Sequence, residues 1–170
     1  MLREVRGNSV VDLLAHERVV EQRGAHAYRR GAGWLLGRTF LRLTHTGRRS
    51  GHAHDAVAMV LHRDDRSREA VICAAWGPGT DWYRNLRARP AVNVEIGRTS
   101  FRPEHRFLSD AEAFGVAVRF RREHPYRLRL LAAVLGWGDL NDDTAVRAFV
   151  SNHPFVGLRP AASLSHDGGA

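Results

Sequence analysis

The chain has 170 residues, 44 % of them hydrophobic, which suits one domain with a substantial core. Its formal charge is +8 with a pI near 11.1, and every one of its 26 basic residues is arginine, so an anionic partner is favoured: nucleic acid, a membrane surface or a polyanionic small molecule. The single cysteine, Cys73, excludes an internal disulfide and a cysteine-rich zinc module, and no apolar run approaches the ~20 residues of a membrane span.

The start of the chain carries acids and lacks a signal-like apolar stretch, so a cytoplasmic protein is the expectation. Residues 9–24 carry a helical stripe of Val10, Val11, Leu13, Leu14, Val19 and Val20, capped by Ser9 and closed by Gly24. Residues 25–38 are glycine-punctuated and read as a short helix or an arm. Strands are expected at 40–44, 55–63, 69–76, 91–97, 99–108 and 155–160. Residues 55–76 form one hairpin in this reading and 91–108 a second. Between them, Thr80 or Asp81 starts a short helix that Pro90 stops. Further helices are expected at 109–125 and 126–138, and one starts at Asn141/Asp142. Asp139, Asp142 and Asp143 offer either a cation cluster or plain capping, and capping is the simpler account. The tail from 161 is small and polar. The pattern predicts an α+β domain on a small antiparallel barrel or sheet, with Cys73 packed as a small apolar residue.

Two stretches carry chemistry. "LTHTGRRSGHAHD" (43–55) leaves a strand and re-enters one through two histidines. It reads as a plain surface turn, a metal site on His45, His52, His54 and Asp55, or an anion cradle. In a cradle, Gly47 and Gly51 expose backbone N–H groups, Thr46 and Ser50 add hydroxyls, and Arg48 and Arg49 add guanidinium forks. The lysine and glycine spacing of a nucleotide P-loop are missing. "AAWGPGTDWYRNLRARP" (74–90) follows a strand with a Gly-rich loop and a helix bearing Trp82, Tyr83, Asn85 and Leu86. A flat heteroaromatic ring would find backbone donors, an indole edge and an amide there. Leu86 is expected in the core, and Trp82 and Asn85 toward a site.

Together, "TGRRSG" at 46–51, "WYRNLRARP" at 82–90, "VNVEIG" at 92–97 and the closing "VGLRP" resemble the deazaflavin (F420)-dependent nitroreductase family, over roughly residues 38–160. The resemblance implies a split antiparallel β-barrel of the FMN-binding type with flanking helices. It divides the chain into a helical arm (1–38), a cofactor-binding domain (39–160) and a disordered tail (161–170). It implies that Arg48 and Arg49 hold the phosphate and glutamate arm of coenzyme F420, with Thr46, Gly47 and Ser50 shaping the loop. His54 stands where relatives carry arginine, and Ala56 and Val57 stand where a small or polar residue and a proline are usual. Ala75, Trp76 and Gly77 would run along the deazaflavin ring, Trp82 and Asn85 would border ring and substrate, and Tyr126 would lie over the active site.

The implied activity is hydride transfer from reduced F420 to an electron-poor acceptor, a quinone, a nitroaromatic or an activated alkene. Tyr126, Tyr83 or water would supply a proton. Arg29 and Arg30 could line the outer end of the channel. The rival reading is a non-catalytic split barrel holding FMN, haem or deazaflavin, with haem drawing on His45, His52 or His54. Nucleic acid is disfavoured, because the aromatics are few and grouped beside the Gly-rich loop. Peripheral membrane contact through the N-terminal arm and a homodimer stay open.

Overall fold

A computed structural model describes residues 37–162. The helix expected at 9–24, most of the arm, Arg29 and Arg30, and the tail from 163 lie outside the described residues.

Strand β1 (Phe40–Thr46) alternates strictly: Leu41, Leu43 and His45 are buried, while Phe40, Arg42 and Thr44 are half-buried on the opposite face. It is central in its sheet, pairing antiparallel with β2 (Ala53–Met59) on one side and β5 (Asn93–Ile96) on the other, with β6 (Thr99–Phe101) beyond β5. The second antiparallel sheet runs β3 (His62–Arg63), β4 (Ala70–Cys73), β8 (Phe155–Pro160), β7 (Pro103–Phe107). Among the described residues no ladder joins the two sheets into a closed barrel. Leu41, Leu43 and Val94 from the first sheet meet Ile72, Val156 and Leu158 from the second, all essentially inaccessible to solvent.

Helix α1 (Asp81–Ala88) buries Trp82, Tyr83 and Leu86 in that same core. Helices α2 (Asp110–Glu123), α3 (Pro125–Leu135) and α4 (Asp143–Asn152) belong to a second core, in which Val71 and Phe155 meet Ala113, Val146, Phe149 and Val150. Ser109 and Glu112 close a reciprocal capping box at α2, and the Asp142 carboxylate accepts from the Ala145 N–H at 2.8 Å, which makes it a cap. Cys73 packs against the helical core, where burial pushes its thiol up to about 12.

Two expected strands are each two strands. The run 55–63 breaks after Met59, and the chain crosses sheets as the Val60 N–H donates to the Thr39 carbonyl and the Leu61 N–H to the Val71 carbonyl, both at 2.8 Å. The run 99–108 breaks at Arg102, leaving β6 in the first sheet and β7 in the second, with Pro103 opening β7 where no N–H is required. The hairpins therefore shrink to β3–β4 and β5–β6. The helix expected at 126–138 stops at Leu135, where Gly136 takes φ +70°.

On the outer face of the first sheet Arg42 pairs with Asp55 at 3.3 Å and with Glu95, while the Thr44 hydroxyl donates to Asp55 at 2.8 Å. This cross-strand network matches the register that sets Arg42 opposite Glu95 and Thr44 opposite Asp55.

Candidate functional site

The loop between β1 and β2 is tied to itself. The Gly47 N–H donates to the His52 carbonyl and the Gly51 N–H to the Gly47 carbonyl, each at 2.8 Å, and Gly51 sits at φ +70°. The two glycine N–H groups expected to face a ligand are thus spent on closing the turn. Those of Arg49 and Ser50, at its apex, have no hydrogen-bond partner among the described residues. A Cβ at Gly47 would run into the Ser50 hydroxyl and come within 2.9 Å of the His54 Nε2, so both side chains would have to shift. Ser50 and His54 themselves lie 3.3 Å apart, and His54 stacks on His45 at 5.9 Å.

Asn85 clasps this loop to α1. Its side-chain oxygen accepts from the Arg48 backbone N–H and from the Arg48 guanidinium, both at 3.0 Å. That fixes the amide orientation, so its NH2 faces His45 Nδ1 at 3.0 Å and donates to it. His45 must accept there, so it is neutral with its proton on Nε2. Burial, helped by the nearby His54, pushes its pKa down to about 4. Arg48 also pairs with Asp81 at 3.0 Å, an exposed contact that adds little stability.

The clasp carries a pH dependence. Unfolded His45 titrates near its ordinary 6.5, the folded one near 4, so the unfolded chain binds the extra proton between those values. Stability is full above about pH 6.5 and falls as the pH drops toward 4, by roughly 1.4 kcal/mol per unit, or about 3 kcal/mol in all. His153, lowered by burial, contributes with the same sign. Urea unfolding at pH 7 and pH 4.5 should show this loss, and His45→Gln should remove most of it.

The second loop is also partly spent. The Gly77 N–H donates to the Ala74 carbonyl, and Gly77 holds φ +80°. The Thr80 hydroxyl, expected as a helix cap, instead donates to the Gly77 carbonyl at 2.8 Å. Trp137 Nε1 donates to the Ala75 carbonyl at 2.8 Å. The N–H groups of Ala75 and Trp76 have no partner among the described residues.

Apart from Ala75, Trp76 and Gly77 in the second loop and Tyr126 on α3, the expected site residues separate into two groups. Thr46, Gly47, Arg48, Arg49, Ser50, His54 and Asn85 come together around the loop. Ala56, Trp82 and Tyr83 are buried in the core between the sheets. Ala56 faces inward because it stands opposite Leu43. Tyr83 lies edge-on to Trp82 and Phe107, whereas Tyr126 is 82 % exposed on α3. A cavity of about 590 Å³ lies beside α3, lined by Leu128, Ala132 and Leu140 with Arg121 and Arg129, and none of the expected cofactor residues lines it.

Arg89 is the residue the sequence reading missed. Its guanidinium comes to 4.0 Å from where a Gly51 Cβ would lie. Like Arg49 it makes no ion pair among the described residues. It caps the end of α1, directly before the Pro90 expected to stop that helix. Its partner, Gly51, is distant in sequence.

With this geometry in view, the comparisons with known proteins are decisive for the family. The profile of the F420H(2)-dependent quinone reductase family matches residues 18–126, well over half of the chain. The chain belongs to this family. A Mycobacterium tuberculosis member, Rv3178, named as a candidate F420H(2)-dependent quinone reductase, is 37 % identical over 71 residues, covering 41 % of this chain and 58 % of the relative. The chain thus spans somewhat over half the length of that curated relative. Among solved structures, an F420-H2 dependent reductase (FDR-A) is similar with a TM-score of 0.48 at 19 % identity, covering 72 % of this chain and 96 % of its own. A pyridoxamine 5'-phosphate oxidase-related, FMN-binding protein from Nostoc punctiforme has a TM-score of 0.46 at 14 % identity, covering 80 % of this chain and 77 % of its own. Both structural likenesses are distant. For this quinone reductase family member, no described helix is long and apolar enough to cross a membrane.

Proposed function

We propose that the chain is an F420H2-dependent reductase that passes hydride to an electron-poor, largely apolar acceptor, a quinone before a nitroaromatic or an activated alkene. The two sheets are read as a split barrel spanning 39–160, with 1–38 as an arm. Membership of the quinone reductase family supports this reading, and one observation in the chain carries it. Among the described residues the guanidinium groups of Arg49 and Arg89 make no ion pair, and two N–H groups at the apex of the clasped loop have no hydrogen-bond partner.

That donor set fits the phosphate and carboxylates of the F420 arm. Arg49 and Arg89 grip the arm, the Arg49 and Ser50 N–H groups bind its oxygens, and Arg48, held by Asn85 and Asp81, keeps the loop in place. Ala75 and Trp76 offer their N–H groups to the carbonyls of the planar head. When bound, the deazaflavin supplies a hydride in a two-electron step, and the protein positions it. Trp82 supports the ring-side loop from within the core. Because Tyr83 is buried and Tyr126 lies on the solvent face of α3, water delivers the proton in this reading.

The test is anaerobic mixing of the protein with F420H2 and a naphthoquinone, followed by the return of the oxidised cofactor's visible absorbance. Catalysed oxidation that depends on both protein and quinone is the expected result. No acceleration over the protein-free mixture, with tight binding of FMN instead, would overturn the reading.

A further inference from the structure

Helix α3 is apolar on two sides. Leu128 packs against the helical core, and Ala132, one turn on, is buried. Tyr126, Leu130 and Val134 recur at four-residue steps, which places them in one stripe. They are 82 %, 66 % and 72 % exposed. At 100° per residue, Arg129 falls on one flank of that stripe and Arg127 on the other. Arg122, in the last turn of α2, adds a third cation near the start of α3. None of these three arginines makes an ion pair among the described residues.

We propose that α3 is a docking face for an anionic lipid surface, with Tyr126, Leu130 and Val134 entering the acyl boundary and Arg122, Arg127 and Arg129 reaching the headgroup phosphates. A solvent-facing apolar stripe bordered by long cationic side chains is the arrangement that lies flat in an interface, the arginine stems covering apolar surface while their heads stay among phosphates. Charge selects lipid over the other occupants. A second copy related by a two-fold axis would set the same arginines against one another. Residues 1–36 hold six arginines against four acids, so they offer this patch no net negative charge. The inference rests on α3 and the last turn of α2 and stands whether or not the chain binds F420.

The test is co-sedimentation of the full chain with phosphatidylglycerol/phosphatidylcholine vesicles and with pure phosphatidylcholine vesicles. Binding is expected to the anionic vesicles, reduced by salt. Leu130→Ser/Val134→Ser should lower the partition coefficient at least about tenfold, and Arg127→Gln/Arg129→Gln should abolish the preference for anionic lipid. Both double variants should keep the wild-type melting temperature and F420 affinity, which excludes misfolding as the cause. Three results would overturn the proposal: no binding of the wild-type chain to anionic vesicles, equal binding by the Ser double variant, or loss of a solution dimer in that variant without loss of lipid binding.

Discussion

Replacing Asn85 with leucine is expected to destabilise the protein by about 3 kcal/mol, although leucine keeps the branched outline of the side chain and adds apolar surface. The amide makes three hydrogen bonds at 3.0 Å from a position only 4 % exposed. Each is worth roughly 1 kcal/mol, and the larger cost comes from groups left without partners. His45 Nδ1 and the Arg48 N–H would both be stranded under the loop. Asn85→Asp separates the contributions. It keeps an acceptor for Arg48 but loses the donor to His45, so it should be milder and should draw a proton onto His45, raising the imidazole pKa. Urea unfolding of both variants checks this; a loss within about 0.5 kcal/mol for Asn85→Leu would show that the clasp contributes little.

The loop should also lose its fixed shape in Asn85→Leu, since no other described contact ties Arg48 to α1 except the surface pair with Asp81. Cofactor affinity should therefore fall along with stability. Asp81→Ala, by contrast, should leave stability nearly unchanged, because its carboxylate is 56 % exposed.

Much of this site can be read in the sequence because its two segments are local. The "TGRRSG" turn and the "WYRNLRARP" helix each announce themselves through glycines, a stopping proline and buried aromatic spacing. What joins them is not local. An asparagine reads as a polar side chain that could face substrate or solvent, and nothing in residues 82–90 reveals a histidine 40 positions upstream as its partner. The apex donors were misassigned to Gly47 and Gly51 for a related reason. Glycine permits a tight turn, and the tight turn then consumes the N–H groups that glycine leaves bare. In the sheets, strands β1 and β8 begin as expected: β1 alternates between buried and half-buried residues, and β8 opens on a run of four buried ones. Val60 lies inside a continuous apolar run, 56–61, and Arg102 lies between Phe101 and Pro103 in an alternating stretch, so periodicity marks neither crossing.

Removing the guanidinium groups of both Arg49 and Arg89 is expected to have the largest functional effect. Hydrogen bonds to charged groups contribute roughly 1.5–3 kcal/mol each, so Arg49→Ala/Arg89→Ala should weaken F420 binding by about two orders of magnitude or more. Neither residue makes an ion pair within the described fold, so stability should hardly move. The single variants should share the loss, and the wild-type affinity should fall with salt as the paired charges are screened. Arg48→Ala should behave differently, lowering stability and affinity together, because its guanidinium belongs to the clasp.

Equilibrium fluorescence titration of the wild-type chain and of Arg49→Ala/Arg89→Ala with oxidised F420, run beside FMN, tests the central claim most directly. Saturable wild-type binding of F420 in preference to FMN, lost in the double variant at unchanged melting temperature, is the predicted result. Equal affinity of the two proteins for F420, or a preference for FMN that ignores both arginines, would contradict it.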